Sequence, residues 1–183
     1  MAFFGAVAAV LFASAPDPVV TQKMVGPMGN IYLMEGSFEV TAPRDIVWSV
    51  LTDYANHPSF VSDLKSSSIK VRNSYETMVA QEAIGKVAMF SATVQMLLQM
   101  KETPSTQITF SDVLRKDFEL FEGKWTLSQG PRGLLINYAL RCSPRAKAPG
   151  FIMGPMMQDS TRRLMVAMRS EIEKRAVVTV AGR

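Results

Sequence analysis

The chain has 183 residues, of which 48% are hydrophobic and 20% are charged. These are the proportions of a globular protein of one domain, so they exclude broad disorder, and the core needs neither disulfides nor metals. Cys142 is the only cysteine and His57 the only histidine, which excludes an internal disulfide and both cysteine-cluster and histidine-rich metal centres. The formal net charge of +4 is mildly basic, and a solvated helix face accounts for it best.

Residues 1–15 have the pattern of a secretory leader. An apolar run over residues 3–12 precedes Ala13-Ser14-Ala15, a small-x-small cleavage site. No Lys or Arg precedes the run, so an uncleaved anchor and a misplaced start codon both stay open, and the run is shorter than the ~20 residues of a membrane span. We expect an exported protein (periplasmic or secreted) or one tethered to a membrane by its N-terminus, and a cytoplasmic one if the leader is not functional. Residues 16–30, with repeated Pro and Gly, are predicted to be a linker.

The folded domain is predicted to cover residues 31–176, with a tail at 177–183. Its first strand is marked by the alternation of Tyr32, Met34, Phe38 and Val40 with mostly polar neighbours. A short amphipathic helix follows over residues 44–53, and residues 54–61 form a second short helical bend. Pro58 prevents a simple extension of that helix.

Residues 63–142 read as six further strands. The clearest covers residues 90–100, where apolar and polar side chains alternate before the turn Thr103-Pro104-Ser105. Gly123 predicts a bulge or bend in the strand at 118–127. The last strand carries Tyr138 and Leu140 on its apolar face, and Cys142 on that face is expected to be a buried, inert thiol.

The longest helical pattern covers residues 149–175. Its apolar stripe can be buried only against the concave face of the sheet, and it is formed by Met153, Met157, Leu164, Met168 and Ile172. Methionine is flexible and lines cavities of variable content as readily as it fills gaps. Two interpretations of the stripe therefore stay open, ordinary core packing and a binding cavity between helix and sheet.

Four segments together resemble a known family: APRDIVWSVLTDY (residues 42–54), HPSFV (57–61), FEGKW (121–125) and PGFI (149–152). Residues 36–174 are similar to the polyketide cyclase/dehydrase and Coq10-type branch of the START-like (SRPBCC, Bet v 1-like) superfamily. This resemblance implies an α+β helix-grip fold. An antiparallel curved sheet of about seven strands would wrap around the long C-terminal helix, with two short helices after the first strand. It also implies a hydrophobic molecule held beneath that helix.

The site expected from this fold is an apolar cavity between sheet and helix. We expect its lining, and so the ligand-binding residues, to be Phe38, Phe60, Phe90, Met96, Phe110, Trp125, Met153, Met157, Leu164 and Met168. The ligand would be a lipid, an isoprenoid quinone or an aromatic compound, and contact with a membrane surface is a further expectation.

Catalysis has only weak candidates in the sequence. His57 is the first candidate for a general base because its unperturbed pKa lies near neutrality, although a structural role in its turn is favoured. Tyr54, Glu82 and Arg115 are further candidates for steering proton transfer. Glu122 with Arg115 would either anchor a ligand head group or form an ordinary cross-strand pair on the exposed face. No Ser-His-Asp arrangement and no G-x-S-x-G motif is present.

Other classes of function lack their motifs. No phosphate loop or dinucleotide fingerprint occurs, so we expect no cofactor, and aromatic residues do not interleave with basic ones as in nucleic-acid binders. Three hypotheses remain, in order of preference. The first is a non-catalytic binder of a hydrophobic molecule, the second a cyclase/dehydratase-like enzyme. The third is a protein-interaction module that uses the basic face around Arg162, Arg163 and Arg169.

Overall fold

The structure is a computed structural model that describes residues 17–26, 31–74, 76–87, 90–146 and 149–181. The predicted leader lies outside these residues. In chain order the elements are β1 (Val19–Val25), β2 (Ile31–Val40), α1 (Arg44–Leu51), a 3-10 helix (Tyr54–Ser59), β3 (Leu64–Arg72), β4 (Thr77–Val87), β5 (Phe90–Thr103), β6 (Gln107–Asp112), β7 (Phe118–Gln129), β8 (Leu134–Pro144) and α2 (Gly150–Ala181).

The strands form one curved antiparallel sheet in the order β1-β2-β8-β7-β6-β5-β4-β3. Alternate side chains of β2 and β8 are buried, which confirms the period-2 pattern predicted for both strands. The long helix α2 covers the buried face, so the helix-grip fold predicted from the sequence is confirmed, with eight strands in place of about seven. No helix in the described part of the chain is long and apolar enough to cross a bilayer.

The additional strand is β1, which lies within the predicted linker. That prediction is wrong for residues 19–25, because β1 pairs with β2 along its whole length, from Val19 opposite Ser37 to Val25 opposite Ile31. The strand lies at the edge of the sheet and buries few side chains, Val20 among them, so its sequence shows little periodicity. β1 forms because the edge of β2 is free to pair with it, and the local sequence of residues 19–25 does not reveal such a partner.

The helix α2 extends farther than predicted, to Ala181, so residues 177–181 are helical and not a tail. No Pro or Gly interrupts residues 176–181, and β-branched residues lower helix propensity only slightly. The fully or nearly buried residues of the helix stripe are Met153, Met165, Met168 and Ile172, whereas Met157 and Leu164 are half-buried.

The bulge predicted at Gly123 is absent, and that prediction is wrong. The register of β7 runs through Gly123 without a shift against both β6 and β8, and the irregularity lies between Phe118 and Leu120. Glycine is required at this position because a Cβ would lie 2.5 Å from the ring of Phe110 and 2.4 Å from the carbonyl oxygen of Ala139. The absent side chain leaves room for the ring of Phe110 on the buried face.

A second glycine allows α2 to approach the sheet. A Cβ on Gly36 of β2 would lie 2.0 Å from Sδ of Met165, whose side chain is fully buried. The backbone of α2 packs closely against β1, β2, β4 and α1, whereas the middle strands β6, β7 and β8 make few close backbone approaches to it. Side chains therefore fill most of the distance between the helix and the middle of the sheet.

Candidate ligand-binding site

Five aromatic side chains meet on the buried face of the middle strands, and we call them the aromatic cluster: Phe110, Phe118, Phe121, Trp125 and Tyr138. Trp125 and Tyr138 are cross-strand partners with ring centroids 4.5 Å apart. Phe110 reaches across Gly123 to stack on Tyr138 at 6.0 Å. Phe121 completes the cluster, with its ring centroid 5.9 Å from that of Phe110 and 4.8 Å from that of Phe118.

The buried side of α2 faces this sheet surface with Met153, Met165, Met168 and Ile172, and β5 contributes Met96, Leu98 and Met100. We call the region between the aromatic cluster and these side chains the interior. Its lining is almost wholly apolar, with flexible thioethers on one side and rigid rings on the other. Such a lining suits an apolar molecule, because methionine adapts its shape while the rings hold the opposite wall fixed.

A few polar atoms are exceptions to this apolar lining. Tyr138 is 5% exposed and Trp125 7%, yet neither Tyr138 Oη nor Trp125 Nε1 has a hydrogen-bond partner among the described residues. No side-chain oxygen or nitrogen in the described ranges is both unpartnered and completely sealed. The phenol and the indole N–H therefore both border space that a water molecule can reach.

These groups are uncharged at neutral pH. Burial, and to a smaller extent the nearby Cys142, raises the pKa of the Tyr138 phenol well above its ordinary value. The same two causes raise the pKa of Tyr32, which stands opposite Cys142 in the neighbouring strand. Burial raises the pKa of the Cys142 thiol to about 12, as expected for an inert thiol.

The predicted lining residues divide into three groups. Phe38, Met96, Phe110, Trp125, Met153 and Met168 are buried. Phe60, Met157 and Leu164 are half-buried against the same core. The side chain of Phe90 lies outside the described part of the chain. The ligand-binding role of all these residues stays a prediction.

Sequence reasoning did not select Tyr138, Phe121 or Met165 for this site. The alternation in β8 already placed Tyr138 on the apolar face, but no local signal shows that its hydroxyl lacks a partner. Gly123 was the available signal for the cluster, because a glycine within a strand also marks a close approach of another group.

Two of the catalytic candidates, Tyr54 and His57, lie in a different place. We call this place the helical corner, and its residues are Asp53, Tyr54, His57, Glu102 and Arg175. His57 is buried, and its Nε2 lies 3.1 Å from the carbonyl oxygen of Val50. Its ring stands edge-on to those of Tyr54 and Phe60, with centroids 5.8 and 5.6 Å away. Burial lowers the pKa of His57, so the imidazole is neutral at pH 7.

The other members of the helical corner are also paired. Tyr54 Oη donates to Glu102 Oε1 at 2.8 Å, and burial together with this hydrogen bond raises the pKa of Tyr54. Arg175 of α2 donates to Asp53 at 2.8 Å. Burial alone would raise the pKa of Asp53, but hydrogen bonds from Arg175 and Asn56 lower it overall. These contacts connect the start of the 3-10 helix to β5 and α2.

The remaining catalytic candidates lie elsewhere. Glu82 of β4 forms an ion pair at 3.3 Å with Lys65 of the edge strand β3. Arg115 is exposed in the loop after β6, with a positive φ of 50° that is supported by a hydrogen bond from its backbone N–H to Asp112. The four candidates thus occupy three separate places and do not converge on one point of the interior.

The structure also shows the partners of two further sets of charged residues that the sequence analysis singled out. Glu122 pairs with Arg141 at 2.8 Å and not with Arg115, and this pair lies on the convex, solvent-facing side of the sheet because Glu122 precedes the inward Gly123. In the basic face of α2, Arg163 pairs with Asp63 at 2.9 Å and also with Asp159, and Arg169 pairs with Glu173 at 3.0 Å. Arg162 is exposed.

Two open depressions on the described surface lie outside the interior. One, of about 470 Å³, is lined by residues 40–44 with Gln129, Gly133 and Leu134. The other, of about 360 Å³, lies on the convex face and includes Lys101, Lys124 and Arg141. Both are open to solvent, so neither offers the enclosure that an apolar ligand requires.

Comparisons with known proteins agree on the fold. The family model described as polyketide cyclase / dehydrase and lipid transport matches residues 40–169. A protein from Thermus thermophilus is similar with a TM-score of 0.68 and 17% identity, over 79% of this chain and 99% of that one.

Two further solved structures have the same fold. A STAR-related lipid transfer protein from Xanthomonas axonopodis gives a TM-score of 0.61 at 15% identity, over 83% of this chain and 98% of that one. The Zhui aromatase/cyclase from Streptomyces sp. R1128 gives a TM-score of 0.63 at 17% identity, over 82% of this chain and 96% of that one. Among curated proteins, none matches the sequence of this chain.

Proposed function

Because the chain belongs to the polyketide cyclase/dehydrase and lipid transport family, we propose that it binds a hydrophobic small molecule in the interior and carries it without converting it. The ligand is a lipid, an isoprenoid quinone or an aromatic compound. In this site the ligand lies between α2 and the aromatic cluster of the sheet.

The observation that carries the proposal is the way α2 spans the sheet. Its backbone packs on β1 and β2 at one side and on β4 at the other, while it makes few close backbone approaches to the strands of the aromatic cluster. The methionines of that span can change rotamer at small cost to make room for a ligand. A hydrophobic ligand placed there exchanges water for apolar contacts, which is favourable at about 25 cal/mol per Å² of buried apolar surface.

Native mass spectrometry of protein purified from its own host, followed by organic extraction, tests this proposal. We expect a co-purifying apolar compound that Met157→Trp depletes by about tenfold or more, because Met157 is half-buried beneath α2 and a larger ring there occupies the interior. Val166→Trp is the matched control, since Val166 is 45% exposed on the same helix. Equal occupancy in both variants would contradict the placement of the ligand beneath α2.

An enzyme of the cyclase/dehydratase kind is the second candidate, and the similarity to an aromatase/cyclase is the observation that favours it. Such an enzyme needs titratable groups that converge on one bound substrate. Tyr54 and His57 are held in the helical corner and Glu82 and Arg115 lie on other surfaces, so these residues give it little support. Turnover of a linear polyketide mimic by the purified protein would favour this candidate over carriage.

We further propose that the end of the molecule at the start of α2 contacts membranes. Phe151 is 79% exposed there, and Val113 and Leu114 of the loop after β6 are each 45% exposed beside Arg115 and Lys116. The Nε of Arg145 donates to the carbonyl oxygen of Arg115, which ties this loop to the segment that leads into α2. Flotation with anionic vesicles tests the contact, and Phe151→Glu should reduce co-flotation.

Export, or an N-terminal membrane tether, fits a carrier because apolar cargo needs shielding in an aqueous compartment. The apolar run and the Ala13-Ser14-Ala15 site support this part of the proposal. Cell fractionation together with the intact mass of the purified protein tests it, since removal of residues 1–15 changes the mass and an uncleaved tether does not.

A further inference from the structure

We propose that Tyr138 is the polar anchor of the interior and that it selects an uncharged ligand with an acceptor oxygen, such as the carbonyl of a ketone, quinone or ester. This inference rests on the proposed function, because it names the chemical class of ligand that the same site takes. It also assigns a specificity-determining role to a residue in the middle of the sheet.

Neighbouring rings hold Tyr138 in place. The indole of Trp125 lies 4.5 Å from the Tyr138 ring on one side, and Phe110 stacks on it at 6.0 Å with an interplanar angle of 17°. The absence of a side chain at Gly123 allows Phe110 to reach this position. A ring that contacts two neighbouring aromatic rings has little freedom to swing towards another partner, so the position of the hydroxyl is restricted.

The hydroxyl of Tyr138 is one of several buried polar groups with no hydrogen-bond partner among the described residues, together with the hydroxyls of Tyr32 and Ser143 and the indole N–H of Trp125. The residue is 5% exposed, and no described group donates to or accepts from its Oη. Buried hydroxyls in folded proteins almost always have a partner, because burial without one is costly. Since its Oη is not sealed, a ligand that enters the interior can supply the missing acceptor.

The groups around Tyr138 favour an acceptor on the ligand. The indole of Trp125 is a donor only, and its Nε1 is also without a partner among the described residues. Cys142 lies four residues after Tyr138 on the same face of β8, and it remains a neutral thiol with little acceptor strength. A carbonyl oxygen with two lone pairs matches such a set of donors better than a ligand donor would.

The charges of the site disfavour an ionised head group. No Lys or Arg whose burial is described is among the buried residues, and Arg169 of α2, whose side chain is 13% exposed, pairs with Glu173 at 3.0 Å. Asp112 is a buried carboxylate, but it accepts hydrogen bonds from the backbone N–H groups of Leu97, Leu114 and Arg115. A carboxylate or phosphate of the ligand would therefore enter the interior without a cation, which is strongly unfavourable.

The test compares two uncharged probes of nearly the same shape, 2,3-dimethyl-1,4-naphthoquinone and 2,3-dimethylnaphthalene, with 2-naphthoate as the charged probe. Of the two uncharged probes only the quinone carries acceptor oxygens, and its two methyl groups block addition of the Cys142 thiol. Equilibrium dialysis with chromatographic quantification measures the Kd of each probe for the full chain, for Tyr138→Phe and for Tyr54→Phe. Tyr54→Phe is the matched control, because it removes the same atom from a tyrosine outside the interior.

We expect Tyr138→Phe to weaken quinone binding about three- to tenfold, which is the contribution of one hydrogen bond, and to leave hydrocarbon binding within about twofold. Tyr54→Phe should change neither. Thermal melts should show Tyr138→Phe folded as well as the wild type, because its hydroxyl has no partner to lose.

Two results would overturn the inference while the proposed function stands. One is an equal effect of Tyr138→Phe on the quinone and the hydrocarbon, or no effect on either, although both bind the wild type. The other is binding of 2-naphthoate as tight as that of the quinone. A failure of both uncharged probes to bind the wild type would instead contradict the proposed function, and this inference with it.

Discussion

Tyr54 and Tyr138 are both buried, yet they stand in opposite surroundings. In the helical corner Tyr54 donates to Glu102 at 2.8 Å, while Arg72 lies 5.6 Å from the Tyr54 ring centroid. In the aromatic cluster the Tyr138 ring contacts those of Trp125 and Phe110, and its hydroxyl has no partner in the described part of the chain. The two residues differ in what their hydroxyls contact and not in burial, at 2% and 5% exposure.

This difference separates support of the fold from binding. A buried polar group that is fully paired holds elements together, and its removal leaves another group unsatisfied. The helical corner does this for the 3-10 helix, β5 and α2 through Tyr54, Asp53 and Arg175. A buried donor without a partner stabilises little in the free protein, and it remains available to a ligand. This criterion supports our proposal that the interior binds the ligand, and it places His57 in the supporting region.

The largest expected effect comes from a change that separates α2 from the sheet. Gly36→Ala places a Cβ 2.0 Å from Met165 Sδ, and Met165 is fully buried and has little room to give way, so we expect the free energy of unfolding to fall by about 2 to 3 kcal/mol through overpacking. Urea denaturation measures it. Gly154→Ala is the control. Its Cβ would lie 2.5 Å from Nε2 of the Gln22 side chain, which can move away. Equal losses in the two variants would show that the contact between Gly36 and Met165 is not what holds the helix.

Removal of the two hydroxyls sharpens the comparison directly. Tyr54→Phe leaves Glu102 without its hydrogen bond at 2.8 Å, so we expect a loss of about 1 to 2 kcal/mol in the free energy of unfolding. Tyr138→Phe removes a hydroxyl that has no partner, so we expect a change of about 0.5 kcal/mol or less, of either sign. Urea denaturation at pH 7 measures both variants. A larger loss for Tyr138→Phe would mean that its hydroxyl supports the fold, and the contrast between the two regions would fail.

The smallest expected effect is a pH dependence from the helical corner. Burial lowers the pKa of His57 below its ordinary value of 6.5. Above pH 6.5 neither the folded nor the unfolded chain is protonated at His57, so its full contribution to stability is present. Below pH 6.5 the unfolded chain takes up a proton that the folded chain does not, and stability falls by at most about 1.4 kcal/mol per pH unit.

His57→Gln tests this dependence, because glutamine keeps a donor for the carbonyl oxygen of Val50 and does not titrate. Between pH 7.5 and 5.0 we expect the wild type to lose about 1 kcal/mol more than the variant. The window stays above the range in which Asp53 takes up its proton, since the pKa of that carboxyl is below 3.8. Parallel stability curves for the two proteins would show that His57 is not held neutral by burial.

Much of the architecture follows from sequence periodicity. Alternation over β2, β5 and β8 and the apolar stripe of α2 report which faces are buried, because a strand repeats every two residues and a helix every 3.6. From these patterns and the four family segments, the order of elements from β2 to α2 and the placement of α2 on the sheet could be predicted. So could the buried state of Phe110, Trp125, Met153 and Met168.

The tertiary structure alone decided the rest. Strand β1 exists because the edge of β2 is free to pair with it, and Gly123 is needed because Phe110 of another strand crosses it. Whether a buried hydroxyl has a partner depends on residues far away in the chain, as Glu102 is from Tyr54. Periodicity reports burial and carries no information about such partners. The sequence therefore determined that Tyr138 is buried, whereas only the packing around it determined that its hydroxyl has no partner in the described part of the chain.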